Sequence, residues 1–150
     1  MAGEFNFKPG DVVNGSFGKV YMDGRNIAEI LEFTGKLSLE GKDVKLANGE
    51  TGKKNTSSSL ELTIKLQKVF SQELKILENV KAGKLNNYCD LNIQIDDPDA
   101  YGAEAIAISN CLFTGDFDIL SFQRGELLER EITLSAQPSN IDILESIEDI

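Results

Sequence analysis

The chain has no histidine and no tryptophan among its 150 residues. Without histidine there is no Ser-His-Asp triad, no Cys-His pair and none of the commonest zinc ligand sets, so most of enzymology is removed at once. Cysteine is scarce. Cys89 and Cys111 stand alone in apolar alternating stretches, without a paired motif, and read as small buried side chains rather than a disulfide or metal site. Basic residues are also few, 15 against 25 acids for a formal net charge of −10. That balance argues against a surface that grips nucleic-acid phosphates, though not against one that repels them. No apolar run is long enough to span a bilayer, and Met1-Ala2-Gly3-Glu4-Phe5 lacks the basic start and apolar core of a signal peptide, which implies folding in the cytoplasm.

What is present is alternation. One domain is expected from the length, and a hydrophobic fraction of 41% suffices for a core. From Leu60 to Leu66 apolar residues occupy every second position, with Glu61, Thr63, Lys65 and Gln67 opposite, the pattern of a half-buried strand. At Phe70 the period changes: Phe70, Leu74, Leu77 and Val80 recur at helical spacing, Ser71 suits an N-cap and Gly83 a left-handed C-terminal cap. The economical picture is a mainly β body, a sandwich or barrel of antiparallel strands, whose open flank is covered by this one flanking helix.

Taken in order, residues 1–14 form an arm ordered only by contact with something else, with Phe5, Phe7, Val12 and Val13 apolar enough to dock. A hairpin follows: Phe17 to Met22, the turn dipeptide Asp23-Gly24, and Asn26 to Phe33, with Ile27, Leu31 and Phe33 sharing one face. Glu40 to Ser58 is polar and lysine-rich and reads as a long loop. Cys89 to Ile95 alternates with Cys89, Leu91, Ile93 and Ile95 inward, and after the turn Asp97-Pro98-Asp99-Ala100-Tyr101-Gly102 the return strand Glu104 to Leu112 puts Ile106, Ile108 and Leu112 on one parity. Leu128 to Ala136 is the last strong strand. Its Arg130 falls on the apolar parity, which suggests an edge position with the head in water. An acidic tail, 137–150, has Ile141, Leu144 and Ile147 at helical spacing.

Nothing in this order carries catalytic chemistry. Gly15-Ser16-Phe17-Gly18-Lys19 lacks the Walker spacing and precedes a strand. Asp96, Asp97 and Asp99 lack the spacing and distal glutamate of a calcium loop and fit a turn. Glu129 and Glu131 share one exposed strand row instead of facing each other across a cleft, as a glycosidase requires. The outward faces, Glu61-Thr63-Lys65-Gln67, Asp90-Asn92-Gln94-Asp96 and Glu129-Glu131-Thr133-Ser135, are hydrophilic and free of aromatics, unsuited to stacking on bases. No catalytic residue, cofactor site or metal site is expected.

The hairpin Gly-Lys-Val-Tyr-Met-Asp-Gly-Arg-Asn-Ile-Ala-Glu-Ile, the lysine-rich stretch, the strand Ser-Ser-Leu-Glu-Leu-Thr-Ile, one helix, Cys-Asp-Leu-Asn-Ile-Gln-Ile-Asp-Asp-Pro and Glu-Leu-Leu-Glu-Arg-Glu-Ile-Thr-Leu follow one another in an order similar to that of tail-tube proteins of contractile phages and phage-derived bacteriocins. The group found in the PBSX prophage resembles it most. The resemblance covers roughly Gly15 to Ala136. It implies a structural subunit that forms hexameric rings stacked into a tube for DNA, with partners in itself, a sheath and baseplate or initiator proteins. Assembly in the bacterial cytoplasm and residence in a virion or phage-like tail follow from the same likeness. Phe5, Phe7, Lys42, Lys45, Asn48, Lys53, Lys54 and Asn55 become candidates for contacts between stacked rings. Glu61, Thr63, Asp90, Asn92, Glu129 and Glu131 become candidates for the lumen, where an acidic bias would repel passing phosphates. A tube that delivers protein effectors would use nearly the same subunit, and a monomeric β-sandwich binding module is the alternative of another class.

Overall fold

Strand-forming alternation dominates the computed structural model, which describes residues 8–68, 72–116 and 119–147. Among the described residues eight strands, β1 (Gly18–Met22), β2 (Arg25–Asn26), β3 (Ile30–Lys45), β4 (Thr51–Gln67), β5 (Tyr88–Asp96), β6 (Ala103–Thr114), β7 (Glu129–Ala136) and β8 (Ile141–Glu145), accompany one α-helix, α1 (Gln72–Lys81). The strands make one antiparallel sheet in the order β2-β1-β5-β6-β7-β4-β3, with β8 added on β6. The expected mainly β fold is the one found.

The route of β6 shapes the molecule. It pairs with β5 from Ala103 to Leu112 but meets β7 only through Leu112 to Thr114, while its first half pairs with β8 instead. The sheet therefore divides into a half containing β1, β5, β6 and β8 and a half containing β7, β4 and β3. Buried side chains from both halves form one cluster: Val20, Cys89, Leu91, Ile108 and Cys111 from the first, Leu60, Leu62, Ile64, Leu66, Ile132 and Leu134 from the second. Two sheets that share a core turn their other faces away from each other. The alternation expected over Leu60 to Leu66, and that of Cys89 and Leu91, is realised in these burials.

Several expectations need correction. The stretch 40–58 is not a loop: β3 and β4 continue through it as a two-stranded ribbon, paired from Leu37↔Leu60 out to Lys45↔Thr51 and closed by a tight turn at 46–50. Neither ribbon face is buried, so its side chains carry no hydrophobic alternation. Ile141–Glu145 is a strand, not a helix; Ile141 pairs with Ile108 and packs on the core. In the first hairpin Asp23 and Gly24 both take positive φ, 51° and 83°, as a two-residue turn requires. The return strand is interrupted after Asn26, however, so that Ile27 is fully buried and Leu31 is exposed. On β6 the inward residues are Ile106, Ile108 and Cys111, because beyond Ile108 two residues, Ser109 and Asn110, oppose the single Asp90 in a bulge. Asn110 adopts φ 53° there. Leu112 is thereby shifted off the parity of Ile108.

Arg130 does not put its head in water. At this end β7 pairs with β4 alone, yet Arg130 is buried, its guanidinium donating to the carbonyl of Glu129 (2.9 Å) and that of Ser121 (3.4 Å). Nor does the helix cover the flank: Leu74, Leu77 and Val80 remain about 40% exposed, since the two half-sheets already cover each other. The expected cap is present, with Gly83 at φ 91° and amides of Gly83 and Lys84 donating to the carbonyls of Val80 and Asn79. From residue 8 onward the arm is held by the chain's own β5–β6 turn: Tyr101 Oη donates to Asp11, and the Asn14 amide donates to Asp97 at 2.9 Å. Phe5, Phe7, Phe70 and Ser71 lie outside the described residues.

Candidate functional site

The ribbon gathers the lysines. Lys42, Lys45, Lys53 and Lys54 are all exposed beyond the last residue pair that β4 shares with β7, Leu60↔Ala136. Lys42 stands directly across from Lys54, an unfavourable like-charge pair, while Asp43 faces Lys53. Asn48 shapes the turn by accepting the Glu50 amide at 3.1 Å, and Asn55 lies opposite Gly41. Leu37 and Leu39, at the root of the ribbon, are more than half exposed. Val44 and Leu46 are exposed as well, so four apolar side chains stand in water on a ribbon with a repelling pair near its tip, and a two-stranded ribbon has little stability of its own.

The six lumen candidates do not share a surface. Glu61 and Thr63 of β4 lie beside Ser135 and Thr133 of β7, and Glu129 and Glu131 stand opposite Gln67 and Lys65. Lys65 Nζ reaches Glu129 at 3.7 Å. Asp90 and Asn92 belong to β5 in the other half. Asp90 is structural: its amide donates to Asp23 at 2.8 Å, and its carboxylate accepts the Asn110 amide of the bulge at 3.0 Å. β3 adds residues that were not expected: Glu32, Thr34 and Lys36 pair with Lys65, Thr63 and Glu61. Their parity follows from Leu37↔Leu60, but only once the ribbon register is known.

The Asp97 carboxylate is occupied by two backbone amides, those of Asn14 and Asp99, each at 2.9 Å, which is the geometry of a turn. Cys89 and Cys111 are register partners across β5 and β6, both buried and both free thiols. A hydrogen bond with Cys111 and burial push the Cys89 thiol well up from its ordinary pKa, so it stays protonated and unreactive. We expect neither cysteine to react with Ellman's reagent in the folded protein and both to react once urea unfolds it. Rapid reaction without denaturant would refute this placement.

Comparison with known proteins agrees with the architecture. The chain resembles the tube terminating cap of the anti-feeding prophage (TM-score 0.67, 15% identity, 97% of this chain and 98% of that chain). It also resembles a chain of the sheath-tube complex of an extracellular contractile injection system, PVC, in the extended state (0.64, 16%, 97% and 95%). The tail of an empty gene transfer agent particle, computed with C6 symmetry, is a third likeness (0.58, 13%, 89% and 100%). At these identities the likeness establishes the fold alone. No curated protein matches in sequence. A family model described as phage tail tube protein matches residues 6–145, and the chain belongs to that family.

Proposed function

We propose that the chain is the tube subunit of a contractile phage tail or phage-like particle, assembling into hexameric rings that stack into a conduit for DNA, inside a sheath and on a baseplate initiator. The observation that carries this reading is the β3–β4 ribbon. Its exposed leucines and opposed lysines acquire partners when the ribbon lies on the next ring, because the rest of the chain holds nearly all of the acids: only Asp43 and Glu50 fall between Lys42 and Lys54. Among the described residues no strand pairs with the outer edge of β3. A neighbour within a ring can cap such an edge, a heterologous contact that closes by rotation. The C6 symmetry of the gene transfer agent tail supports six subunits per ring.

Negative-stain electron microscopy with mass photometry across a concentration series tests the reading. Rings or short tubes with a central hole are expected. A strict monomer both in the purified protein and in particles from the producing cell would sink it. The likeness to an injection-system tube favours a second reading in which the cargo is protein. Nuclease-protected DNA in purified particles separates the two.

A further inference from the structure

The two cysteines of the chain lie far apart in sequence, and the fold sets them directly opposite each other on β5 and β6. The tube reading makes no use of them. We propose that Cys89 and Cys111 are a latent redox pair: oxidation by a peroxide joins them in a cross-strand disulfide that ties β5 to β6 inside the folded subunit.

Three observations carry the proposal. The first is spacing. Directly opposed residues of an antiparallel ladder have Cα atoms about 4.5 or 5.5 Å apart, and a disulfide spans about 4.4–6.8 Å, so either kind of pair suits it. Both side chains enter the same core cluster. Cys111 Sγ donates to the Ile108 carbonyl at 3.6 Å, which leaves its lone pairs to accept the Cys89 thiol.

The second is slack beside the pair. The ladder step next to it is the bulge, where the Asn110 amide donates to the Asp90 carboxylate instead of to a β5 carbonyl. Drawing the two Cβ atoms together therefore distorts no regular pair on that side. The third is access. Burial keeps a bulky charged reagent from the thiols, yet their chain neighbours Tyr88, Asn110 and Leu112 line an open cleft on the other face. Solvent thus comes within one sheet thickness of the sulfurs. Hydrogen peroxide is uncharged and scarcely larger than water, and the bulge is the gap through which it passes.

The chemistry balances with peroxide as the oxidant. The hydrogen bond from Cys89 holds the Cys111 thiol below its ordinary pKa against the opposing effect of burial, which makes Cys111 the attacking sulfur. Its S–O bond forms as the peroxide O–O bond breaks, and the departing hydroxide takes the Cys111 proton as water. The Cys89 sulfur, closed to outside reagents but facing the new sulfenic acid, then displaces the hydroxyl. The S–S bond forms, the S–O bond breaks, and the Cys89 proton leaves in a second water. Two thiols are oxidised and both peroxide oxygens are reduced.

The cross-link restricts the unfolded chain, so the closed form should melt roughly 5–10 °C higher. Both cysteines are buried, so the outer surface is the same open or closed. The pair stays open in a reducing compartment and closes where peroxide is met.

Intact-mass spectrometry of the whole chain tests the proposal. Protein purified under reductant is treated with hydrogen peroxide while folded, freed of peroxide, and unfolded in urea with N-ethylmaleimide. Untreated protein is expected to add two maleimides. Treated protein is expected to add none, to weigh two hydrogens less, to yield a Cys89–Cys111 peptide on digestion, and to recover its thiols with dithiothreitol. Cys89→Ala should stop at a Cys111 sulfenic acid that dimedone labels, with no thermal gain; if that variant does not fold, the masses of the parent chain decide. Two maleimides on the treated parent overturn the proposal, as do oxygen additions without a cross-link. A disulfide between two subunits, or one that forms only when peroxide is added after urea, overturns it as well.

Discussion

Ile64→Ala loses about 4 kcal/mol of unfolding free energy, the high end for removing a buried aliphatic side chain. Ile64 is fully buried and sits mid-strand on β4, with Phe33 of β3 on one side and Ile132 of β7 on the other. Both neighbours are held by ladder hydrogen bonds, so the site cannot collapse around the missing atoms and a cavity remains. A domain of this size has total stability on the order of 5–15 kcal/mol, so the loss removes a large share of it. The adjacent Thr63→Ala changes the outward face and is expected to stay within about 0.5 kcal/mol. Urea titration followed by circular dichroism compares them. Equal losses would mean that the two half-sheets do not pack on each other through β4.

The part of this architecture that could be read from sequence is the part with one wet and one dry face. Leu60, Leu62, Ile64 and Leu66 announce β4 because burial on a single side forces period two, and Gly83 announces the helix end because few residues tolerate its backbone angle. The ribbon left no such signal. From Leu39 to Ser58 both faces meet water, so polar residues fill both parities and the stretch looks like a loop. The bulge at Asn110 was hidden for a different reason: one extra residue reverses the parity of everything beyond it, and Ile106, Ile108 and Leu112 still look regular on paper. Arg130 misled because charge on an apolar parity suggests an edge, whereas carbonyls of Glu129 and Ser121 receive its guanidinium inside. The lumen candidates were chosen strand by strand. Which of them share a face depends on where the sheet divides, and that is fixed by β6 changing partners from β8 to β7, a long-range choice that no local pattern carries.

Replacing residues 41–56 by the dipeptide Asn-Gly abolishes tubes and leaves the subunit folded. The cut joins Glu40 to Ser57, which are register partners, so the new turn repeats the way Asp23-Gly24 joins Met22 to Arg25. No residue from Lys36 to Ser59 is buried, so the shortened chain keeps the whole core and its thermal unfolding should move by no more than a few degrees. What disappears is the ribbon beyond the Glu40↔Ser57 pair, with all four of its lysines. Removing it also shortens a hairpin whose closure opposes folding, an entropic gain on the order of 1 kcal/mol. Stability therefore holds or rises while assembly falls, a combination that general destabilisation cannot produce. Electron microscopy of the variant at concentrations where the parent forms tubes should show single rings or dispersed subunits. Tubes of normal length built from the shortened chain would show that stacking runs through another surface, and the exposed stripe of Leu74, Leu77 and Val80 on α1 would then be the next place to cut.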